Sequence, residues 1–573
     1  MASGTAMEFD WDDARKALAG LPGGAINIAH EAVDRHVAEG RGQRLALRCL
    51  GRQYLRRDVT YAELAEASAR AAAVLRRLGV TPGEQVAVLL PRGPELYASA
   101  LGIWKAGAVF CPLFTSFGPG PLKARLELAE ATVLVTTDAL YQRKIAGIRE
   151  ALPHLEHVLL VADAAGAPHE IAGCSDFAAL MAAADPADGA PQPTRPEDAA
   201  FIHFTSGTTG TPKGAVHPHR VAISHLVTGK QVFDLRADDV YWCTADPGWI
   251  TSTAYGIIAP LLSGCASVVD AQDIDPRRWY SILRDEKVTV WYTTPTAIRM
   301  MMRFGAALAR SYRENSLRLA ASVGEPLNPE AAAWGEKALG MPFLDTWWQT
   351  ETGAIAIANM PGEAKYGSMG KPLPGVQAQV VTRELSKVIP MEGLDAIGEL
   401  ALKANLPSLF RAYLNDPTRT QAAFADGWYL TGDLVRRDED GYFWFVGRAD
   451  DMIKSAAHTM GPFEIESALL GHPAIAEIGV VGKPDLLVRE VPVAFVSLNP
   501  GFEPGDALKL ELLTYARQEL GAAMAPRDIH FIDSLPKTST GKILRRALKA
   551  KALGDADDES APLPVCPGRF DDE

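Results

Sequence analysis

Long uninterrupted apolar runs are missing from this sequence. Charged residues such as Arg92 and Lys105 break one of the most apolar windows, and Pro260 breaks the run over residues 255–269. Neither window reaches the ~18 to 20 apolar residues that span a bilayer. The opening residues MASGTAMEFDWDDARK carry acidic side chains where a secretory signal has basic ones, and they lack its apolar stretch. We therefore expect a soluble protein without a membrane partner.

An excess of basic charge is also missing, and so are paired cysteines. The 57 Lys and Arg residues are outnumbered by 70 Asp and Glu, a formal net charge of −13 that argues against a nucleic-acid partner. No CxxC pair and no His cluster at zinc spacing occurs. We expect reduced thiols in a cytoplasmic protein. The cysteines are Cys49, Cys111, Cys174, Cys243, Cys265 and Cys566.

The sequence does alternate between short β-branched runs and longer amphipathic ones. Residues 85–90, 132–137 and 157–162 predict strands, and residues 94–107 predict a helix. Strands separated by helices indicate parallel sheets covered by helices on both faces, so the fold class is α/β. Residues 183–198, rich in Ala, Pro and Asp, predict a surface connection between subdomains.

Two domains and a tail are predicted along the chain. Residues 1–448 form a large N-terminal domain with the sheets. Residues 449–553 form a small α+β C-terminal domain, which begins where the text FVGRADDMIK leads into a shorter pattern of strands and helices. Residues 554–573 are acidic and contain proline, so we expect them to be disordered.

The segment TSGTTGTPKG (205–214) predicts a phosphate-binding loop directly after an apolar strand. Its glycines let backbone N–H groups approach an anion, its hydroxyls add donors, and Lys213 adds a positive charge. It is not a Walker A sequence, because the GxxxxGK[ST] spacing is absent. The candidate phosphate-binding residues are Thr205, Ser206, Gly207, Thr208, Thr209, Gly210 and Lys213.

From about residue 30 to 553 the chain resembles the adenylate-forming superfamily of acyl-CoA synthetases, adenylation domains and luciferases. The resemblance rests on the phosphate loop and on five further blocks that follow in the family's order. These blocks are GEP (324–326), DTWWQTETG (345–353), YLTGD (429–433), GRADDMIK (447–454) and PKTSTGK (536–542).

The resemblance implies an ATP site with Mg²⁺, in which Glu351 holds the metal ion and Asp433 and Arg448 contact the ribose. A carboxylate suits both tasks, since it supplies hard oxygen to Mg²⁺ and accepts hydrogen bonds from hydroxyls. The other residues that it implies around the nucleotide are Gly324, Glu325, Pro326, Asp345, Thr346, Trp347, Gln349 and Thr350.

The resemblance also implies that the C-terminal domain is a mobile lid with its hinge at Asp450. Lys542 would reach from the lid to the α-phosphate of ATP, where negative charge builds during attack by the substrate carboxylate. The implied catalytic residues are Lys542, Glu351 and Thr205. A lysine acetyltransferase and a deacetylase acting on Lys542 would be regulatory partners, because acetylation removes the charge.

DTWWQTETG and TADPGWIT (244–251) resemble the shorter bacterial form of the AMP-forming acetyl-CoA synthetase branch. In that branch the second tryptophan, here Trp348, closes the acyl pocket, and the other walls are Val323, Thr251 and a valine that Ile250 replaces here. The implied reaction joins a short carboxylic acid to AMP and then to coenzyme A, with release of pyrophosphate and AMP. Acetate is the expected acid, and propionate is a second one, because one methylene is worth only ~1 to 3 kcal/mol in a hydrophobic pocket.

Two departures from the family pattern stand in KSAAHTMG (454–461): Ala457 replaces a glycine beside the pantetheine path, and Thr459 replaces an arginine directed at the active site. These departures leave open the alternative that the chain is a catalytically weakened protein that binds ATP or an acyl group. A module that loads a carrier protein is a second alternative. Arg517, at a position associated with the nucleotide part of coenzyme A, favours the free thiol.

Reversing the two departures is expected to affect different half-reactions. Thr459→Arg raises the adenylation rate by about ten- to a hundred-fold, because a charged donor replaces a neutral one at a gain of about 1.5 to 3 kcal/mol. Ala457→Gly lowers the coenzyme A concentration required, because a methyl group leaves the thiol channel. Pyrophosphate exchange and thioester formation measure the two effects. Unchanged or lower rates from both variants would show that residues 454–461 follow a different path from the family's.

Overall fold

The computed structural model of the chain describes residues 9–51, 56–163, 170–206, 212–312, 316–384, 387–394, 396–455, 458–485, 488–537 and 542–554. The chain forms two compact units. The first unit comprises Met1–Ala378 and Leu402–Tyr429, and the second comprises Gln379–Ala401 and Leu430–Glu573. The domain boundary predicted between residues 448 and 449 stays a prediction, and so does the hinge at Asp450. Residues 555–573 of the predicted tail lie outside the described residues.

The first sheet of the first unit confirms the three predicted strands. Its parallel part pairs Gln85–Leu89 with Val109–Pro112 on one side and Val133–Thr137 on the other, and His157–Val161 follows. The full strand order is Ala412–Tyr413, Pro212–Pro218, Ala199–Ser206, Val109–Pro112, Gln85–Leu89, Val133–Thr137, His157–Val161 and Ser175–Asp176.

The second sheet of the first unit is parallel through its centre and antiparallel at both ends. Its central strands are buried along their whole length, as expected where helices cover both faces. The strand order is Lys371–Pro372, Ile357–Ala358, Phe343–Trp347, Leu319–Ser322, Val290–Thr293, Val240–Cys243, Ala266–Asp270, Leu45–Leu50 and Arg56–Thr60.

The predicted helix over residues 94–107 is confirmed as Pro94–Ala106. Helix Pro94–Ala106 starts with proline at its first turn and ends at Gly107, whose φ of 78° suits a residue without a side chain. Thr60 and Glu63 form a capping box before Tyr61–Arg77. The other helices are Trp11–Arg15, Arg35–Ala38, Pro119–Ala129, Asp138–Leu140, Phe177–Ala183, Val221–Phe233, Ala259–Ser263, Pro276–Asp285, Pro295–Met302, Gly305–Arg310, Pro329–Leu339 and Pro417–Ala422.

The second unit is smaller and contains the remaining strands and helices. Most of one sheet belongs to it, with strands Lys387–Pro390, Ala378–Glu384, Gly398–Lys403, Trp428–Arg437 and Phe443–Arg448. Its other sheet has the order His458–Met460, Ile453–Ser455, Arg489–Leu498 and Ile475–Asp485, with Asp528–Phe531 also paired to Arg489–Leu498. Its helices are Pro462–Leu470, Asp506–Met524 and Arg545–Leu553. A large α/β part with parallel-rich sheets and a small α+β part are thereby confirmed.

The predicted role of residues 183–198 as a link between subdomains is wrong. The segment leaves the helix Phe177–Ala183 and enters the strand Ala199–Ser206, and the strands on either side of it belong to one sheet. The hydroxyl of Thr194 donates to the Ile26 carbonyl at 2.6 Å. The composition of residues 183–198 indicates an irregular segment. Composition does not indicate to which sheet the next strand belongs.

Five histidines are buried in the first unit as neutral rings. Burial lowers the pKa of His36 and His225 to about 4 and that of His203, His217 and His219 to about 3. Within the part of the chain that the structure describes, every helix is too short or too polar to span a bilayer.

Acidification is expected to destabilise the protein steeply below pH 6.5. In the unfolded chain these histidines bind protons near pH 6.5, whereas in the folded state they stay neutral down to about pH 4, so the free energy of unfolding falls as pH falls. Each contributes about 1.4 kcal/mol per pH unit. Burial raises the pKa of the Asp345 carboxyl. At pH values above the pKa of this aspartate in the unfolded chain, Asp345 therefore opposes the trend.

Urea unfolding between pH 7.5 and 5 measures the effect. His225→Gln is expected to reduce the proton uptake on unfolding by about one proton. His154→Gln, at an exposed position, is the control and leaves the pH dependence unchanged. A stability that stays constant from pH 7 to 5 would contradict the neutral burial of these rings.

Candidate active site

The residues on both sides of the predicted phosphate loop belong to two paired strands, which form a β-hairpin. Ala199–Ser206 pairs antiparallel with Pro212–Pro218, and Thr205 stands opposite Lys213. The loop residues Gly207, Thr208, Thr209 and Gly210 lie outside the described residues. The hairpin therefore brings the first and the last predicted phosphate-binding residues to the same end of the sheet.

A tyrosine joins the phosphate hairpin to the predicted magnesium ligand. The Nζ atom of Lys213 lies 5.2 Å from the centre of the Tyr413 ring. The Tyr413 hydroxyl donates to Oε1 of Glu351 at 2.7 Å. Strand Ala412–Tyr413 reaches this position because it pairs with Pro212–Pro218. A cation suited to phosphate and a carboxylate suited to Mg²⁺ are thereby held next to one tyrosine, the first over its ring and the second at its hydroxyl.

Two of the buried histidines support the backbone around Glu351. Nε2 of His225 lies 2.7 Å from the carbonyl of Gly353, and Nδ1 of His217 lies 3.1 Å from the carbonyl of Ser408. Since a carbonyl only accepts, these nitrogens carry the hydrogens. Gly353 has φ +70°, and a Cβ there would lie 2.2 Å from the Ser408 oxygen. Only glycine fits this crossing of two segments.

The residues predicted to surround adenine follow the strand Leu319–Ser322. Gly324 has φ +98°, and a Cβ there would lie 3.2 Å from the Trp249 ring. The Glu325 carboxylate accepts hydrogen bonds from the Thr296 hydroxyl and from Arg299, each at 2.7 Å. This side chain holds its own loop against the helix Pro295–Met302, and residues 324–326 are half-buried.

Asp345 is buried in the middle of the strand Phe343–Trp347. Burial raises the pKa of its carboxyl well above the usual range, and hydrogen bonds from the N–H groups of Leu327 and Thr346 oppose this rise. The turn that follows contains Gln349, whose Oε1 accepts from the Tyr429 hydroxyl at 2.8 Å. Trp347 and Thr350 are half-buried in the same segment. The predicted nucleotide residues 345–351 thus form one continuous strand and turn.

The predicted acyl-pocket walls are all buried. Trp348, Ile250 and Val323 belong to one apolar cluster, and Thr251 is also buried. The indole of Trp348 packs edge-on against Tyr255, with 5.2 Å between ring centres and 77° between planes. Its Nε1–H donates to the Tyr292 hydroxyl at 3.2 Å. The indole is thus held both at its Nε1 atom and through its contact with the Tyr255 ring.

In the second unit, the predicted ribose residues contact each other. Asp433 and Arg448 lie opposite each other on paired strands, and Nη1 of Arg448 donates to Oδ1 of Asp433 at 2.8 Å. Nε of Arg448 also lies 3.5 Å from Oδ1 of Asp450, the predicted hinge residue. A carboxylate and a guanidinium in contact present both an acceptor and donors to ribose hydroxyls.

The remaining predicted residues of the second unit lie on separate elements. Lys542 is exposed and precedes the helix Arg545–Leu553, and Arg517 is exposed on the helix Asp506–Met524. Thr459 stands opposite Lys454 in a pair of short strands. Ala457 lies outside the described residues.

The described residues contain no cluster of three or more metal-binding side chains. Glu351 fits a magnesium ion that is carried by a nucleotide, because Mg²⁺ commonly takes one or two protein carboxylates and completes its coordination with phosphate and water. Sequence reasoning identified Glu351 but missed Tyr413 and Arg299, which hold Glu351 and Glu325. Neither stands in a recognisable motif, and only strand pairing and helix packing reveal them.

Tyr413→Phe is expected to raise the Mg²⁺ concentration needed for half-maximal pyrophosphate exchange by about tenfold. The lost hydrogen bond to the Glu351 carboxylate is charge-assisted and worth about 1.5 to 3 kcal/mol. Tyr366→Phe is the control, because it removes a tyrosine–glutamate hydrogen bond at an exposed site. If Tyr413→Phe leaves the magnesium requirement unchanged, Glu351 does not hold the metal ion.

Comparisons with known proteins identify the family of the chain. The family model for AMP-binding enzymes matches residues 34–414, and the model for their C-terminal domain matches residues 464–542. The chain is 44% identical to acetyl-coenzyme A synthetase of Bacillus subtilis over 96% of this chain and 94% of the relative. It is 39% identical to acetyl-coenzyme A synthetase of Methanothrix thermoacetophila over 93% of this chain and 84% of the relative.

A solved structure of an anthranilate CoA ligase in complex with anthranoyl-AMP superposes with a TM-score of 0.84 at 28% identity, and the match covers 96% of this chain and all of the other. The matches extend along both units. The chain therefore belongs to the family of AMP-binding enzymes.

Proposed function

We propose that the chain is an ATP-dependent ligase that joins acetate to coenzyme A through acetyl-AMP. The observation that carries this function is the match along nearly the whole chain to acetyl-coenzyme A synthetases. First, an acetate oxygen attacks the α-phosphorus of ATP, and the bond to pyrophosphate breaks. Then the coenzyme A sulfur attacks the acetyl carbonyl carbon, the bond to AMP breaks, and the thiol proton is released.

The arrangement around Tyr413 suits the first half-reaction. Lys213 and the loop that it closes bind the phosphates, Thr205 adds a hydroxyl at the start of that loop, and Glu351 holds the magnesium ion. When bound, Mg²⁺ offsets the negative charge of the phosphates. Since no side chain serves as a nucleophile, positioning and charge stabilisation supply most of the rate.

The buried indole of Trp348 suits a very small acid. Trp348, Ile250, Thr251 and Val323 are all buried, and in this proposal the indole occupies the space that the longer chain of a fatty acid would need. Propionate differs from acetate by one methylene, so we infer that the enzyme prefers acetate and uses propionate less efficiently. Kinetics across acids of two to six carbons measure this preference.

We assign the C-terminal residues 449–553 to a lid that turns about Asp450. In one pose Lys542 stabilises charge at the α-phosphate, and in the other Arg517 and the segment around Ala457 receive coenzyme A. The exposed position of Lys542 suits reversible acetylation by a lysine acetyltransferase and removal by a deacetylase. We place the reaction in the cytoplasm, as the free thiols of five cysteines suggest.

Lys542→Ala is expected to nearly abolish acetate-dependent pyrophosphate exchange while supplied acetyl-AMP is still converted to acetyl-CoA. The lid must withdraw this ammonium before the thiol enters, so the second half-reaction does not use it. Lys551→Ala, exposed on the following helix, is the control. Equal loss in both half-reactions would refute the two poses, and a parent enzyme without acetate-dependent exchange would refute the function.

A further inference from the structure

A continuous line of hydrogen bonds begins at the indole of Trp348. Its Nε1–H donates to the Tyr292 hydroxyl oxygen at 3.2 Å. That hydroxyl lies 2.7 Å from Oγ1 of Thr346, and the Thr346 hydroxyl donates to the Ser322 carbonyl at 2.8 Å. Because the Thr346 hydrogen is directed to a carbonyl, which only accepts, the Tyr292 hydrogen points to Thr346. Every hydrogen in the line therefore points away from the indole and toward the sheet.

A second tyrosine packs edge-on against both rings. The centre of the Tyr255 ring lies 5.2 Å from that of Trp348 and 5.7 Å from that of Tyr292, with interplanar angles of 77° and 82°. The Tyr255 hydroxyl accepts from the Ile355 N–H and lies 2.8 Å from the hydroxyl of Thr228, whose hydrogen is directed to a backbone carbonyl. Both tyrosines are therefore anchored at their hydroxyl ends.

Burial makes these hydrogen bonds decisive for the orientation of the indole. Tyr255 and Tyr292 are fully buried, and only 9% of Trp348 is exposed. An indole has one donor, and in an apolar environment an unpaired N–H is costly. The rotamer of Trp348 that keeps Nε1 on Tyr292 is therefore favoured over the others. Tyr292 itself lies on the central strand Val290–Thr293, which cannot shift easily.

We propose that Tyr292 determines acid length by holding the Trp348 indole in place as the end wall of the acyl pocket. This inference rests on the proposed function. Tyr292 is a positioning residue, because it acts through Trp348. Acetate fits while the indole stays in place. Butyrate requires the indole to move, and that movement breaks the hydrogen bond to Tyr292.

The test is Tyr292→Phe, which removes one oxygen and keeps the ring. The ratio of kcat/KM for butyrate to that for acetate is expected to rise about tenfold, since one hydrogen bond no longer opposes the displaced indole. The KM for ATP is expected to stay unchanged. A merely structural defect would instead lower kcat/KM by the same factor for acetate, propionate and butyrate.

Tyr241→Phe is the matched control. Tyr241 is equally buried on the neighbouring strand Val240–Cys243, and its hydroxyl has no nitrogen or oxygen partner among the described residues. This variant is expected to keep the parent's preference for acetate. In a Trp348→Phe background, which has no indole N–H, Tyr292→Phe is expected to add no further change to the ratio.

Trp348→Gly separates the inference from the function on which it rests. It is expected to move the preference toward acids of four to six carbons. If it does so while Tyr292→Phe keeps the parent's ratio, or shifts it no more than Tyr241→Phe, the inference is overturned and the function stands. If Trp348→Gly keeps the parent's profile, Trp348 is not the wall and the inference is overturned with it. A parent without acetate-dependent exchange overturns both the function and the inference.

Discussion

The geometry of the phosphate site depends on antiparallel pairing at one end of an otherwise parallel sheet. The strand Pro212–Pro218 pairs with Ala199–Ser206 on one side and with Ala412–Tyr413 on the other. Because these partners are far apart in sequence, the pairing brings Lys213 to the ring of Tyr413, and Tyr413 to Glu351. A shift of one residue in this register would turn Tyr413 to the opposite face of the sheet and break the link.

Neutral polar groups fix the backbone behind this site. His217 and His225 bond carbonyls of the two segments that cross at Gly353, and they do so without adding charge near the carboxylate. Protonated rings in the same positions would attract Glu351 and compete with a metal ion for it. Burial keeps the rings neutral, so the support is compatible with a site that binds a divalent cation. Stability toward acid is reduced as a consequence.

The sequence predicted the fold class, the strands 85–90, 132–137 and 157–162, and the site residues that stand in compact motifs. The fold class and the strands are confirmed because β-branched runs are local signals, whereas the roles of the site residues, which rest on local motifs, stay predictions. The partners of the site residues were not predictable in the same way. Tyr413 meets Glu351 through strand pairing, and Tyr292 meets Trp348 although the strand Leu319–Ser322 lies between Val290–Thr293 and Phe343–Trp347, which Trp348 follows. The same reason explains the error at residues 183–198, whose neighbours in space are set by sheet topology.

A very small substrate explains why a rigid wall is needed at all. Acetate has four non-hydrogen atoms, so its own contacts supply at most about 6 kcal/mol, and larger acids would gain more from any pocket that admits them. Selectivity for acetate must therefore come from exclusion of longer chains, and a wall excludes only if moving it is costly. As the proposed wall, the indole of Trp348 meets this requirement through one buried hydrogen bond to Tyr292 and edge-on packing against Tyr255, whereas an apolar side chain of similar volume would adapt to longer acids. The polar oxygen of Tyr292 in an otherwise aromatic cluster thus makes the cluster resistant to displacement, and the affinity for the nucleotide, which has many more contacts, supplies the binding energy that acetate lacks.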